Sequence, residues 1–338
     1  MNKSLGGSRF LGLDLLRFLA AMIVFLGHLI FNVKSEESKN SLLGYLLGPL
    51  HTGKYAVLFF FALSGFVSAK QNFKGIQYRV WVLSRWVRLM PVFYVTYFGG
   101  LILLVAGRGF VPNSKNTLIE LAGLGALSTN GVPAPNPPLW SLSVELLLSL
   151  LLPFLVRIQR NSILIFIFAI GFAAQQTQIG GFAIVSAFPY FLAGVIASKI
   201  LGDAREVRVI YNYLVLGFLI AFCLFSPLLV NGPTTGLENM LSILVISFLI
   251  MGASLVIIPK GLYPISGIIS LRSYSLYAVH WPIIKSVQEL SNPSSIASWS
   301  VYILVSLITV LMGTEILYQL VERPALSMSK KIRIRPQT

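Results

Sequence analysis

The chain has 338 residues, of which 56% are hydrophobic and 11% charged, and its mean hydropathy is +0.80. Soluble domains carry roughly 25% charged residues, so this composition excludes a water-soluble globular protein and indicates a polytopic membrane protein. The formal charge of +15 does not signal nucleic-acid binding, because the Lys and Arg sit in short connections between apolar runs, and the single cysteine, Cys223, excludes an intrachain disulfide framework.

Apolar segments of spanning length fall at about residues 10–32, 55–70, 87–107, 139–156, 162–176, 181–199, 210–230, 238–258, 268–288 and 298–320. The first follows Lys3 and Arg9 and superficially resembles a secretory leader. It is too long for one, Asp14 and Arg17 interrupt it, and it has no small-residue cleavage site, so a retained first helix is expected. No internal repeat or low-complexity segment is visible. The expected fold is all-α: one transmembrane helical bundle of about ten spans, with a core over 10–326 and a short basic tail over 327–338.

Of the 26 Lys and Arg, five fall in connections on one side (Lys34, Lys39, Lys54, Arg108 and Lys115) and two, Arg17 and Lys285, within spans. The rest collect on the other side, with both termini. Cytoplasmic loops hold excess Lys and Arg, so both termini are expected in the cytoplasm, in a multi-pass protein. Of the outer connections, 108–138 ends in "NGVPAPNPPLW", whose prolines favour extended backbone. It serves either as a spacer or as a gate for substrate.

The first span, "LDLLRFLAAMIVFLGH", carries Asp14, Arg17 and His28. At about 100° per residue, the eleven steps from Arg17 to His28 make almost three turns, so the two project from nearly one face, about 16 Å apart along the axis. Asp14 lies three residues before Arg17 and joins that stripe. Either Asp14 merely neutralises Arg17 while His28 bonds a neighbouring helix, or the stripe is functional. Ionisable groups inside a membrane favour the second reading, and histidine suits proton transfer near neutrality.

The second span, "YAVLFFFALSGFVSAK", has Ser64 and Gly65 interrupting a wall of Phe and Leu. Small residues let helices approach closely, and that is the expected role of Gly65. "YRVWVLSRWVRLMP" follows, with Arg85 and Arg88 on one helical face. They are either a positive-inside anchor or a dock for a phosphate-bearing donor, since guanidinium matches phosphate geometry.

"PPLWSLSVELLL" places Trp140 at an interface and carries Ser141, Ser143 and Glu145 into a span, where the carboxylate needs a partner such as Arg17 or His28. "SYSLYAVHWPII" puts Ser273, Tyr274, Tyr277 and His280 in the ninth span, with His280 either a structural donor or a second lining residue. In "LYQLVERPAL", Pro324 is expected to stop the last span, leaving Glu322 and Arg323 as a solvated interfacial pair. His51 lies in an outer connection without a distinguishing motif. The three His are too scattered for metal-ligand spacing, and no phosphate-cradling glycine loop or Gly-x-Ser-x-Gly element occurs.

Taken in order, Arg-x10-His (Arg17, His28, preceded by Asp14), "FFALSGF", "RWVRLMP", "LWSLSVE", "SYSLYAVHWP" and "ERP" resemble the membrane acyltransferase-3 family, over about residues 10–326. The resemblance implies transfer of an acyl group, usually acetyl, from cytoplasmic acyl-CoA to a hydroxyl, commonly of a sugar in a bacterial surface or exported glycan. It implies an enzyme of the inner or plasma membrane with acetyl-CoA as co-substrate, no permanently bound cofactor or metal, lipid and carbohydrate partners, and room for self-association. Carried onto this chain, it makes Arg17 and His28 the catalytic pair, supported by Asp14 and Glu145. Arg85 and Arg88 become donor-binding residues, with Ser64, Trp140, Ser143, Tyr277, His280 and Glu322 binding substrate or supporting the site. Some relatives carry an extra soluble hydrolase-like domain, which this sequence does not show.

His28 would act as general base or as transient acyl carrier. The rival reading is a proton-coupled secondary transporter of a small solute or glycan precursor, with His28, Asp14 and Glu145 relaying protons. Transporters often show internal repeats and paired broken helices, which this sequence lacks.

Overall fold

A chain this apolar must satisfy its backbone hydrogen bonds within each segment, and the α-helix does so locally. The computed structural model describes residues 11–31, 53–71, 73, 76–108, 114–127, 135–177, 182–201, 236–255, 263–293 and 295–334, and every regular element among them is helical. In order they are α1 (Leu11–Phe31), α2 (Gly53–Ala69), α3 (Tyr78–Arg108), the short α4 (Ser114–Leu121), α5 (Trp140–Arg157) and α6 (Asn161–Gln176). There follow α7 (Ala183–Leu201), α8 (Gly236–Leu255), α9 (Tyr263–Ser291), α10 (Ile296–Leu317), a π-turn at Tyr318–Glu322 and α11 (Arg323–Ile334).

Helices thus occupy nine of the ten expected span positions, while 210–230 and His51 lie outside the described residues. By length and composition six of these helical stretches can cross a membrane, and α2 and α6 are shorter apolar helices. Prolines 91, 153, 189 and 282 lie inside α3, α5, α7 and α9. Membrane helices tolerate them because neighbouring elements re-satisfy the freed carbonyls. The outward faces remain apolar, with Ile102, Phe166, Ile200 and Leu320 exposed, as a lipid-facing surface requires.

Among the described residues, the most extensive helix packing is α2 against α7. A Cβ on Gly65 would lie 2.1 Å from the Phe191 carbonyl oxygen, and one on Gly194 would lie 1.9 Å from that of Ala62. The two glycines let one backbone rest on the other, the role expected of Gly65. Helix α9 is held between α1 and α10, and α11 packs along α3, where Ser329 Oγ donates to the Ser84 carbonyl (2.7 Å).

Pro324 corrects the expectation that the last span ends there. It has no N–H for the Leu320 carbonyl, and the preceding turn widens so that the Arg323 N–H reaches Tyr318 O, five residues back. The chain then re-enters a helix with proline in its first turn, a position proline favours. Glu322 and Arg323 are not a solvated pair: Glu322 is buried, and Arg323 Nη1 donates to Gln319 Oε1 (2.9 Å).

Candidate active site

Helix periodicity decides which polar groups meet. Along α2 and into the turn that follows it, Ser64, Val67, Ser68 and Gln71 recur at three- and four-residue steps and form one stripe. This stripe lines a cavity of about 280 Å³ together with Asp14 and Arg17 of α1, Arg85 and Arg88 of α3, Glu145 of α5, Tyr277 of α9 and Glu322 of the π-turn. Eight of the twelve residues singled out from the sequence therefore share one wall system: Asp14, Arg17, Ser64, Arg85, Arg88, Glu145, Tyr277 and Glu322.

Arg17 Nη1 lies 3.7 Å from Asp14 Oδ1, the i,i+3 pair expected, and Asp14 also accepts from Ser270 Oγ (3.0 Å). Arg85 is only 4% exposed: it lies over the Trp81 ring at 4.2 Å and Nη2 donates to Ser68 Oγ (3.1 Å). Its Nε has no hydrogen-bond partner among the described residues, although Glu145 lies within electrostatic reach of the guanidinium. Glu145 therefore faces Arg85 across the cavity. Glu322 accepts from the backbone N–H of Ser275 (3.1 Å) and from its hydroxyl, tying the π-turn to α9.

The four remaining candidates lie off the cavity wall. Trp140 packs edge-on against Phe61 (5.9 Å between ring centres) and so supports the wall from behind. Ser143 is buried between Ser141 and Glu145, which do line the cavity; it sits two residues from each, on the opposite side of α5. His28 and His280 form a pair of their own, with His28 Nδ1 2.9 Å from His280 Nε2 and the rings stacked at 5.2 Å. The sequence also underrated Ser68, Gln71 and Ser270, whose signal is their helical spacing from Ser64 and Tyr277.

The pair's protonation pattern follows from a carbonyl. His280 Nδ1 lies 3.3 Å from Leu276 O, which can only accept, so Nδ1 carries the proton and Nε2 is an acceptor. His28 Nδ1–H then donates to His280 Nε2, and Nε2 of His28 is its basic nitrogen.

Two openings flank this pair. Toward the arginines, His280 meets the Tyr277 ring edge-on at 5.8 Å, and Tyr277 meets Phe60 at 5.8 Å; both residues line the inner part of the large cavity. Tyr277 Oη donates to Pro138 O (3.1 Å) and accepts from Ser141 Oγ (2.8 Å), which fixes the ring. Toward the other end, His28 meets Trp281 edge-on at 4.9 Å, and Trp281 lines a second cleft of about 150 Å³ with Pro135, Pro137, Lys285 and Glu289. The described end of the proline-rich connection, at Pro135 and Pro137, therefore forms one wall of that cleft. Gly100 admits it, since a Cβ there would lie 2.3 Å from the Pro135 carbonyl oxygen. A basic imidazole between an arginine-lined cavity and a second cleft can take a proton from a group entering one side while a charged donor occupies the other.

No curated protein and no solved structure matches the chain. A sequence model described as an acyltransferase domain, that of the acyltransferase-3 family, matches residues 10–314 and so covers the cavity's helices up to α10, the histidine pair and the second cleft. The chain belongs to the membrane acyltransferase-3 family.

Proposed function

We propose that this multi-pass acyltransferase moves an acetyl group from acyl-CoA, bound in the arginine-lined cavity, to a hydroxyl of a sugar in a surface or exported glycan that enters through the second cleft. The observation that carries this reading is the placement of the His28–His280 pair between the two openings. The arginine end would face the cytoplasm of an inner or plasma membrane, where acyl-CoA is made and where basic residues accumulate.

In this reading the nucleotide phosphates meet Arg85 and Arg88, and the acyl-bearing arm extends past Tyr277 and Phe60. His28 Nε2 accepts the proton of the sugar hydroxyl as its oxygen attacks the thioester carbonyl. The new C–O bond forms, the C–S bond breaks, and the imidazolium returns the proton to the departing thiolate. His280 supplies the acceptor that aims Nε2 outward, and the cations near the donor favour the negative charge that develops.

The test uses the full chain in lipid nanodiscs with labelled acetyl-CoA and a panel of glycan acceptors. Acceptor-dependent release of free CoA supports the proposal. Counter-flow of a labelled solute without acyl-CoA consumption would replace it by the proton-coupled transporter reading.

A further inference from the structure

Beside Arg85 and Arg88 lies a further guanidinium that the family match does not reach. Arg333, in the last turn of α11, lies beyond residues 10–314. Its Nη1 donates to Gln71 Oε1 (2.8 Å), and Gln71 lines the large cavity beside Arg88. Its Nε is buried without a hydrogen-bond partner among the described residues, as is the Nε of Arg85. The positive charges repel one another: Arg85 feels both Arg88 and Arg333, and Arg333 feels Arg88.

Three mutually repelling cations, two of them with buried N–H donors unmet, are a costly arrangement unless an anion joins them. The acidic groups nearby offset this only in part. Asp14 is engaged by Arg17 and Ser270, Glu322 by Ser275 and the charge of Arg88, and Glu145 by the charge of Arg85, while Arg333 feels no carboxylate among the described residues. Nothing on the α11 side supplies a carboxylate, because from Arg323 to Ile334 this helix has none. Its position is nonetheless fixed, by the Ser329–Ser84 hydrogen bond and by Leu326, which itself lines the cavity.

We propose that Arg333 closes a three-guanidinium site with Arg85 and Arg88, and that this site takes the phosphate groups of a polyanionic nucleotide donor. The inference rests on the donor reading above and deepens it, by making the C-terminal helix part of the donor site. Guanidinium groups bind phosphate oxygens through paired N–H donors, and several around one polyanion give affinity that falls steeply with salt.

The test is binding to the full chain in phosphatidylcholine nanodiscs, using CoA, pantetheine (which lacks the nucleotide phosphates) and inorganic pyrophosphate. Arg333→Gln should weaken CoA and pyrophosphate binding by roughly tenfold and flatten the salt dependence, as loss of one charge-assisted contact implies. It should leave pantetheine binding unchanged, and Arg333→Lys should recover part of the loss. Equal thermal melts of the variants and wild type establish that α11 is still in place.

Unchanged CoA affinity in Arg333→Gln, while Arg85→Gln weakens it, would overturn the inference and leave the proposed function standing. Wild-type protein that binds pyrophosphate but not CoA would leave an anion site and remove the donor reading. If phosphatidylglycerol nanodiscs abolish CoA binding to wild type but not to Arg333→Gln, the site belongs to a lipid headgroup and the inference fails.

Discussion

Replacing His280 by phenylalanine keeps a flat ring in a fully buried position but removes the acceptor of the His28 Nδ1–H. In the native pair, the Leu276 carbonyl sets the His280 tautomer, and that tautomer sets which nitrogen of His28 is basic. One hydrogen bond contributes about 0.5–1.5 kcal/mol net, or roughly 2- to 13-fold in the fraction of His28 held with Nε2 basic and aimed at the acceptor. The expected loss in kcat is of that size, below the roughly 100- to 10,000-fold that a whole general base supplies. KM for acyl-CoA should not move, because neither histidine lines the arginine-lined cavity proposed for the donor. His280→Gln, whose amide oxygen can accept from the same Nδ1–H, should recover most of kcat. The assay is acceptor-dependent CoA release at saturating and limiting acyl-CoA. Wild-type kcat in His280→Phe, or a change confined to KM, would refute the reasoning.

Three further outcomes follow from the packing and the charges. Gly65→Ala or Gly194→Ala places a methyl group within about 2 Å of a backbone carbonyl oxygen; because backbone cannot yield as a side chain does, melting should fall by several degrees in detergent, as overpacking of about 1–3 kcal/mol implies. Gly100→Ala pushes Pro135 off α3 and should reduce acceptor use more than donor binding, read as a rise in acceptor KM. Glu120, on α4 outside the spans, is buried and accepts from Tyr97 Oη (2.7 Å); burial raises its carboxyl pKa above the ordinary glutamate range. The folded protein therefore holds this proton more tightly than the unfolded chain, so the stabilisation is full below the unfolded pKa and is lost as pH rises through the folded one. Melts of Glu120→Gln should show a shallower decline with pH across that window than wild type.

Local periodicity made part of the site legible. Asp14 and Arg17 are three residues apart on one helix and pair as their spacing requires. Ser64, Glu145 and Tyr277 are recognisable singly, as polar groups inside apolar spans, whereas Arg85 and Arg88 read equally well as an anchor and Glu322 enters only through the family resemblance. Their convergence on one cavity is not recognisable, because it depends on how α2, α3, α5 and α9 cross, and the Gly65–Gly194 contact that sets one of those crossings joins residues far apart in sequence. The His28–His280 bond spans 252 positions and carries no local signal.

Ser143 shows the opposite failure: its residue type suggested the site, but its phase on α5 points it away from Ser141 and Glu145. A missing N–H at Pro324 predicts a helix end, whereas one widened turn restores the bonding and turns Glu322 inward. Arg333 looked like part of a basic tail until the fold laid α11 along α3.

The central claim is that His28 performs the proton transfer in acyl transfer while the arginine end holds the donor. The most direct measurement is single-turnover consumption of labelled acetyl-CoA with a saturating acceptor in nanodiscs, run beside equilibrium binding of CoA, for wild type and His28→Ala. His28→Ala is expected to bind CoA as wild type does and to lose turnover by at least about 100-fold, the lower bound for a general base. Turnover within a few-fold of wild type in folded His28→Ala would contradict it.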